Sequence, residues 1–409
     1  MPQGRVYTTT PSPPGLTDRV VAALDGRPMT RDELSSHLGI SRTSLARVLT
    51  PMVEEGSVVV DRDEGNEHPA GRGRRPERLR LPRGSARCIG IDVSRAASRA
   101  VALDPSGHIV AGASRDHGPD QDWPAHVEAL CQELEECAAR REVDLGEIEG
   151  VGLGMPIFGT TPVSDHALDP RLLPAVIRSL RDRWGAPVVH ESTVRVAALA
   201  EARWGAGLRA DNMLFVRSAA GVGGAVVLGG RLAGGHSGRA GEIGHLRVPG
   251  ATEACQCGQT GCLETVASLP AVCRAANQPD VAGLVRAHDR QDPSADAALQ
   301  AAADALGWAS ACVVLLLDPG LVVLDGPLAH EVSGFTAMVT RALHRELVTG
   351  AQWPTEVVAA RCQGWDPARA AASLSSAATP TGSGPTETQT ISPHGGQYQP
   401  DPTSTPTLE

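Results

Sequence analysis

Between Gly241 and Glu264 the chain reads GEIGHLRVPGATEACQCGQTGCLE, and no other stretch restricts its folding as tightly. His245, Cys255, Cys257 and Cys262 fall within eighteen residues, with Gly244, Gly250, Gly258 and Gly261 supplying tight bends between them. Three thiolates and one imidazole are the donors Zn²⁺ prefers, four N and S ligands in a tetrahedron, and the filled set carries a net charge of about minus one. Four protein ligands leave no position for a reacting water, so the Zn²⁺ expected here is structural. The other cysteines, Cys88, Cys131, Cys137, Cys273, Cys312 and Cys362, follow no framework spacing and are expected to be reduced thiols.

The order Glu242-Ile-Gly-His245, Cys255-Gln-Cys-Gly258, Gly261-Cys-Leu-Glu264 resembles the zinc signature of the ROK family, which unites sugar kinases with sugar-responsive transcriptional repressors. The resemblance implies that Glu242, His245 and Glu264 hydrogen-bond the hydroxyls of a bound sugar, with His245 serving both metal and sugar. It also implies an α/β fold of the actin-like (ribonuclease H-like) two-lobed ATPase type. In the repressor branch an N-terminal winged helix-turn-helix precedes those lobes.

The N-terminal sequence supports that branch. Leu16, Val20, Val21 and Leu24 are at helical spacing. Thr30-Arg-Asp-Glu33 is a capping box that opens a second helix, and Gly39 suits its C-terminal cap. Ser41 is a natural N-cap for a third helix, which Pro51 is expected to kink or break. In this helix-turn-helix pattern Arg42, Thr43, Ser44 and Arg47 are the residues expected to face base edges and phosphates. Strands are expected at Ser57–Asp61 and Arg78–Leu81, and the loop between them carries Arg72, Arg74 and Arg75 among glycines, as a DNA-contacting wing would. From Ser41 to Arg87 there are ten arginines against seven acidic residues, whereas the whole chain has a net charge of −10. A small basic module on an acidic body is the usual charge distribution of a DNA-binding regulator.

From Cys88 two apolar strands, a helix near Ala125–Arg141 and the buried strand VGLGMP suggest the beginning of the first lobe. A strand at Pro187–His190 leads to a helix at about Thr193–Trp204, strands follow at Asn212–Arg217 and Gly224–Leu228, and Ala297–Leu317 is a long apolar helix before the strand LVVLDG. The two lobes are expected to share a topology and to divide near Gly185.

The ROK kinases take their catalytic base from the aspartate of an ENDANAAALAE-like segment, and the matching run here is His190 to Glu201. The family's Asn and Asp fall on Ser192 and Thr193, and threonine cannot act as a carboxylate base. The phosphate loops depart as well. DxGGT is Asp92-Val-Ser-Arg-Ala96, GTGIGAG is Ala219-Ala-Gly-Val-Gly-Gly-Ala225, and LGG is Leu324-Asp-Gly326, where Asp325 is expected to repel a phosphate. No catalytic residue is assigned and no enzyme activity is expected. Ser192 and Thr193 join Glu242, His245 and Glu264 as candidate sugar contacts.

The resulting expectation is a leader at 1–14, a winged helix-turn-helix at 15–83, an effector domain at 86–372 with its zinc loop at 241–264, and a disordered tail at 373–409, where Pro, Thr, Ser and Gly are dense. No apolar run is expected to approach the roughly 20 residues of a membrane span, and the N-terminus lacks the apolar centre of a signal peptide. A cytoplasmic bacterial regulator, expected to be a repressor, follows. Its partners would be a double-stranded DNA operator, a sugar or sugar-phosphate effector, and further copies of itself in a homodimer or homotetramer. A ROK-type sugar kinase with an accessory DNA-binding domain and a ligand-independent regulator are the alternatives.

Overall fold

The computed structural model describes residues 16–24, 28–54, 58–61, 77–80, 86–94, 97–105, 107–117, 122–156, 172–348 and 353–377. The expected wing-tip residues Arg72, Arg74 and Arg75 lie outside them, as do the leader and residues 378–409.

The N-terminal module contains α1 (Leu16–Leu24), β1 (Met29–Thr30), α2 (Arg31–Leu38), α3 (Arg42–Glu54), β2 (Val59–Asp61) and β3 (Arg78–Arg80). The strands form an antiparallel sheet in the order β1-β3-β2. Thr30 and Glu33 make the reciprocal capping box at the start of α2, and Gly39 ends it at φ 64°, a left-handed conformation that glycine adopts without a Cβ penalty. The Ser41 hydroxyl then accepts from Ser44 N–H at 3.1 Å and starts α3. Leu34, Leu38, Leu45, Leu49 and Met52 pack with Val20, Val58 and Leu79 in one small core. Of the expected kink or break at Pro51, the break does not occur, since α3 runs on to Glu54. Leu45, Leu49 and Met52 are buried on both sides of it, and that packing carries the helix past the missing N–H donor.

Beyond the module are two sheets. The first contains β4 (Cys88–Val93), β5 (Ala97–Leu103), β6 (Ile109–Asp116), β7 (Gly150–Gly154) and β8 (Val188–Glu191), with α4 (Trp123–Arg140), α5 (Leu173–Trp184) and α6 (Thr193–Trp204). Its order is β6-β5-β4-β7-β8, the first three antiparallel and the last three parallel. The second contains β9 (Met213–Ser218), β10 (Val222–Leu228) and β11 (Arg231–Leu232), then a 3-10 turn at Ile243–His245 and the helices α7 (Leu263–Ala267), α8 (Leu269–Ala275), α9 (Val281–Asp289) and α10 (Pro293–Leu317). It closes with β12 (Leu321–Asp325), α11 (Pro327–Glu331), α12 (Phe335–Glu346) and β13 (Glu356–Ala359). The order β11-β10-β9-β12-β13 repeats the first sheet in both sequence and direction.

The last described element, α13 (Asp366–Ala377), leaves the second sheet and packs on β4 and β7 of the first. A Cβ on Gly152 would sit 1.7 Å from Ala371 O, and one on Gly90 would sit 1.9 Å from Ala368 O. The glycines in these two strands are therefore what lets a helix backbone approach so closely. Three expectations are corrected here. The lobe boundary lies after Glu191 rather than near Gly185, because Gly185 only caps α5 and β8 still pairs with β7. The ordered domain extends past 372, since α13 runs to Ala377 with Ser373 and Ser375 buried. Finally, α10 is long and apolar enough to cross a membrane by length and composition. Most of its apolar window is buried inside the second lobe, where Gly307 brings it against Ala342 of α12.

Candidate functional site

The loop after the 3-10 turn folds back on itself through two short bridges, Arg247 with Cys262 and Ala254 with Thr260. This brings one ligand atom from each of His245, Cys255, Cys257 and Cys262 within 4.8 Å of the others. Cys255 Sγ is 3.8 Å from His245 Nδ1, and Cys257 Sγ is 3.6 Å from Cys262 Sγ. Bonds of about 2.3 Å to sulfur give a tetrahedron with edges near 3.8 Å, so these spacings fit. Burial and hydrogen bonds from the other two thiols push Cys262 up to about 12. Thiols this close resist ionising together unless a cation lies among them. These four side chains can hold a metal ion through Nδ1 of His245, which leaves Nε2 for another partner.

The start of β10 meets Glu264 itself and the elements that carry the other expected ligand residues. Glu264, at the start of α7, accepts from Val222 N–H through Oε2 at 3.1 Å, and a Cβ on Gly221 would lie 2.5 Å from the same oxygen. Val194 at the start of α6 would meet a Cβ on Gly223 at 3.0 Å, and Ile243 would meet one on Gly224 at 2.7 Å. Three successive positions of one strand thus hold α7, α6 and the 3-10 turn together. Glu242 stands exposed just before that turn. Ser192 caps α6 by accepting from Arg195 N–H, and Thr193 behind it is 9% exposed.

Sequence reasoning missed Arg195. This residue is 7% exposed at its side chain, forms an ion pair with Glu191 at 2.8 Å, and donates through Nη1 to Ala233 O at 2.8 Å and Ala240 O at 3.2 Å. It thereby fastens the loop that delivers Glu242 to the start of α6. The available signal was the spacing of Glu191 and Arg195, one helical turn apart at a helix start.

Glu201, also missed, is 1% exposed. Its Oε1 accepts from Arg361 N–H at 2.7 Å and Cys362 N–H at 2.5 Å, and its Oε2 accepts from Ala206 N–H at 2.6 Å. The chain crosses between the sheets at α6 and again between β13 and α13, and this carboxylate ties the two crossings together.

The carboxyl ends of the central strands carry a further set of charges. Arg217 Nε donates to Asp325 Oδ2 at 2.6 Å, and Asp325 Oδ1 lies 3.1 Å from His330 Nε2. Burial alone would raise Asp325, but the Arg217 charge and hydrogen bonds from His330 and Arg217 hold it well below the usual carboxylate range. The bond to Asp325 in turn raises His330. The expectation that Asp325 repels a phosphate therefore fails, because the strand register places Arg217 beside it and neutralises it. Asp92 is 5% exposed, and its Oδ1 has no hydrogen-bond partner among the described residues. Burial pushes it up to about 6 against the pull of Arg217 and Arg99.

The sequence model of the ROK family matches residues 88–378. The chain belongs to the ROK family. A putative xylose repressor from Caldicellulosiruptor sp. is 27% identical over 248 residues, covering 60% of this chain and 61% of the relative, so the match spans less than two thirds of that protein. A glucokinase from Halalkalibacterium halodurans is 29% identical, covering 58% of this chain and 79% of its own. Among solved structures, the ROK hexokinase from Thermus thermophilus superposes with a TM-score of 0.59 at 30% identity, covering 70% of this chain and 96% of its own. A ROK family transcriptional regulator described as a homologue of the E. coli MLC protein superposes with a TM-score of 0.61 over 88% of this chain and 95% of its own, at 20% identity. The two repeated sheets are thus the lobes of an actin-like ROK domain, and the metal loop and the start of β10 both belong to its second lobe.

Outside the ROK domain, Arg42, Thr43 and Arg47 are exposed on α3, whereas Ser44 is half-buried and its hydroxyl lies 2.9 Å from that of Ser41.

Proposed function

We propose that this chain is a DNA-binding transcriptional regulator that senses a sugar or sugar derivative through a ROK domain without phosphorylating it. The observation that carries the reading is the joining of a ROK domain to a module whose α2, glycine turn and α3 present Arg42, Thr43 and Arg47 to solvent. In a kinase, a carboxylate must take the proton of the attacking hydroxyl. The start of α6 instead offers Ser192, engaged in a cap, and Thr193, nearly closed off.

Zn²⁺ held by His245, Cys255, Cys257 and Cys262 would contribute folding free energy and set the orientation of the loop between Glu242 and Glu264. With Nδ1 turned to the metal, His245 would offer Nε2 to a sugar hydroxyl. Glu242 and Glu264 would accept from neighbouring hydroxyls, Glu264 through the oxygen not bonded to Val222. These groups lie on the second lobe, and α6 lies where the chain passes between lobes. A sugar touching both sides would favour one lobe spacing over another, and DNA affinity would change by the difference in sugar affinity between the two forms.

Operator binding by the full chain, measured by fluorescence anisotropy with and without each member of a sugar panel, tests the reading. One sugar should shift the affinity by roughly 5- to 150-fold. Glu242→Gln should bind the same duplex normally and lose that shift. A Glu242→Gln protein that responds like the wild type overturns the sensing role. The glucokinase and hexokinase relatives favour a second reading, a sugar kinase with an accessory module, and ATP-dependent turnover of any sugar in the panel would establish it.

A further inference from the structure

We propose that Arg217 is a latch between the two lobes and Asp92 its catch, so that when the lobes draw together the free nitrogens of the Arg217 guanidinium take up the Asp92 carboxylate. This uses from the reading above only that the lobes have two spacings, and adds the contact that holds the closer one. Asp92 is the group in need of a partner. It is 5% exposed, and its Oδ1 is enclosed with no hydrogen-bond partner among the described residues. An ionised carboxylate in that state is costly, and buried polar groups in native structures are almost always bonded. Its own sheet offers little. On β7 the neighbour is Gly154, where a Cβ would stand 3.1 Å from Asp92 Oδ1, and on β5 the residue opposite is Arg99, which forms no ion pair or hydrogen bond with it among the described residues.

Arg217 holds the complementary surplus. It occupies the equivalent end of β9, and Asp325 Oδ2 engages its Nε at 2.6 Å. Nη1 and Nη2 donate to no group among the described residues, so part of the planar fork stays open. The anchor is itself fixed, because Asp325 Oδ1 accepts from Gly326 N–H at 2.8 Å and lies 3.1 Å from His330 Nε2. The two groups sense each other across the lobes. After burial, the largest influence on Asp92 is the charge of Arg217, ahead of Arg99 on the adjacent strand, and Asp92 in turn raises Arg217. They nonetheless form no ion pair in this conformation, where Arg217 is paired with Asp325. An acceptor without a donor on one lobe, and donors without an acceptor on the other, are what a closing movement would join. The charge of Glu201 also acts on Arg217, and Glu201 binds both crossings of the chain between the sheets, so the latch lies beside the hinge.

Hydrogen exchange read by mass spectrometry on the full chain, purified without chelator, tests this through effects that cross from one lobe to the other. Arg217→Met should speed exchange of the amides around Val93 about tenfold, although the substitution is in the second lobe. Asp92→Leu should do the same to the amides around Ser218. A protein carrying both substitutions should exchange no faster than either alone, since each removes the same contact. Asp325→Asn unbalances the second lobe but leaves the Arg217 fork in place, and should not speed exchange around Val93. Where Arg217→Met folds poorly because Asp325 has lost its partner, combining it with Asp325→Leu removes the pair without leaving a buried charge, and should speed the same first-lobe amides. Acceleration confined to the second lobe in both Arg217 variants would mean that Arg217 serves Asp325 alone, and overturns the latch. Additive acceleration in the Asp92→Leu, Arg217→Met protein overturns it too, as does an equal effect of Asp325→Asn around Val93. No arm uses DNA or a sugar, so a failed operator or sugar response leaves the latch standing, and a failed latch leaves the regulator reading intact.

Discussion

Asp92 is the fifth residue of β4 and Arg217 the fifth of β9, and these strands hold the same place in two sheets of the same order. In the first sheet the parallel neighbour beside Asp92 is Gly154, which offers no side chain. In the second the neighbour beside Arg217 is Asp325, and His330 extends the pair. The repeated topology therefore places two ionisable groups at matching strand ends, and only in the second does the parallel neighbour supply a hydrogen-bonded ion pair, Asp92 having Arg99 opposite it on β5 and the charge of Arg217 but no hydrogen bond to its Oδ1 among the described residues. The lobes also differ in the connection from third to fourth strand. The first uses α4, whereas the second inserts the metal loop and four helices, so the cluster that can hold a metal among the described residues belongs to the second.

The comparison can be broken most directly at that loop. Cys257→Ser, or chelation under reducing conditions, should release zinc and unfold the second lobe while protease-resistant fragments of the first persist. Structural zinc sites contribute an apparent free energy on the order of 10 kcal/mol, so this is the largest effect expected. Metal analysis of purified protein combined with limited proteolysis checks it, and protein purified without chelator that contains no zinc contradicts it.

Asp325→Asn comes next. It leaves Arg217 partly buried without its partner, and should cost about 2 to 3 kcal/mol, less than a fully enclosed broken pair because Arg217 keeps some exposure. Urea denaturation measures it, and a change below about 0.5 kcal/mol would mean that the second lobe is no better balanced than the first.

The smallest effect has the opposite sign. Asp92 titrates near 6 in the folded chain and near 3.8 when unfolded. Its folded form therefore holds the proton more tightly, and its contribution to stability is present below about pH 4 and lost as pH rises through 6. Asp92→Asn removes that loss. It should stabilise the protein by roughly 1 to 3 kcal/mol at pH 7 and by almost nothing at pH 4. Thermal unfolding of both proteins across this range checks the sign, and equal stability at pH 7 would show that Asp92 is already satisfied.

Much of this was legible in the residues. The zinc loop is local, with all four donors inside one short stretch, so spacing was enough to predict that they meet. The capping box at Thr30 and Glu33 and the glycine at 39 are equally local and appear in the structure as read. Gly185 misled because a helix cap looks like a boundary when strand pairing is unknown. Pro51 was read from intrinsic preference alone, whereas burial on both sides decides whether a helix survives it. The bonds from Arg217 to Asp325 and from Arg195 to Ala233 were not legible, since the first spans 108 positions and the second 38, and only sheet register or loop packing brings these groups together. The glycines in GVGLG were read only as part of a buried strand, with nothing expected to approach them closely.

What approaches is α13, and this dictates a sequence of events during synthesis. Gly90 and Ala368 are roughly 280 residues apart, so at about 5 to 20 residues per second the ribosome needs some 14 to 56 seconds to deliver the helix after the strand it covers. Throughout that interval the glycine face of β4 and β7 has no lid, and the apolar residues of the first lobe have only α4 and α5 to shelter them. Translation that stalls anywhere within the second lobe therefore leaves an incomplete first lobe as well. A nascent chain held at that stage should be a substrate for chaperones that bind exposed sheet, and should lose that affinity once α13 emerges.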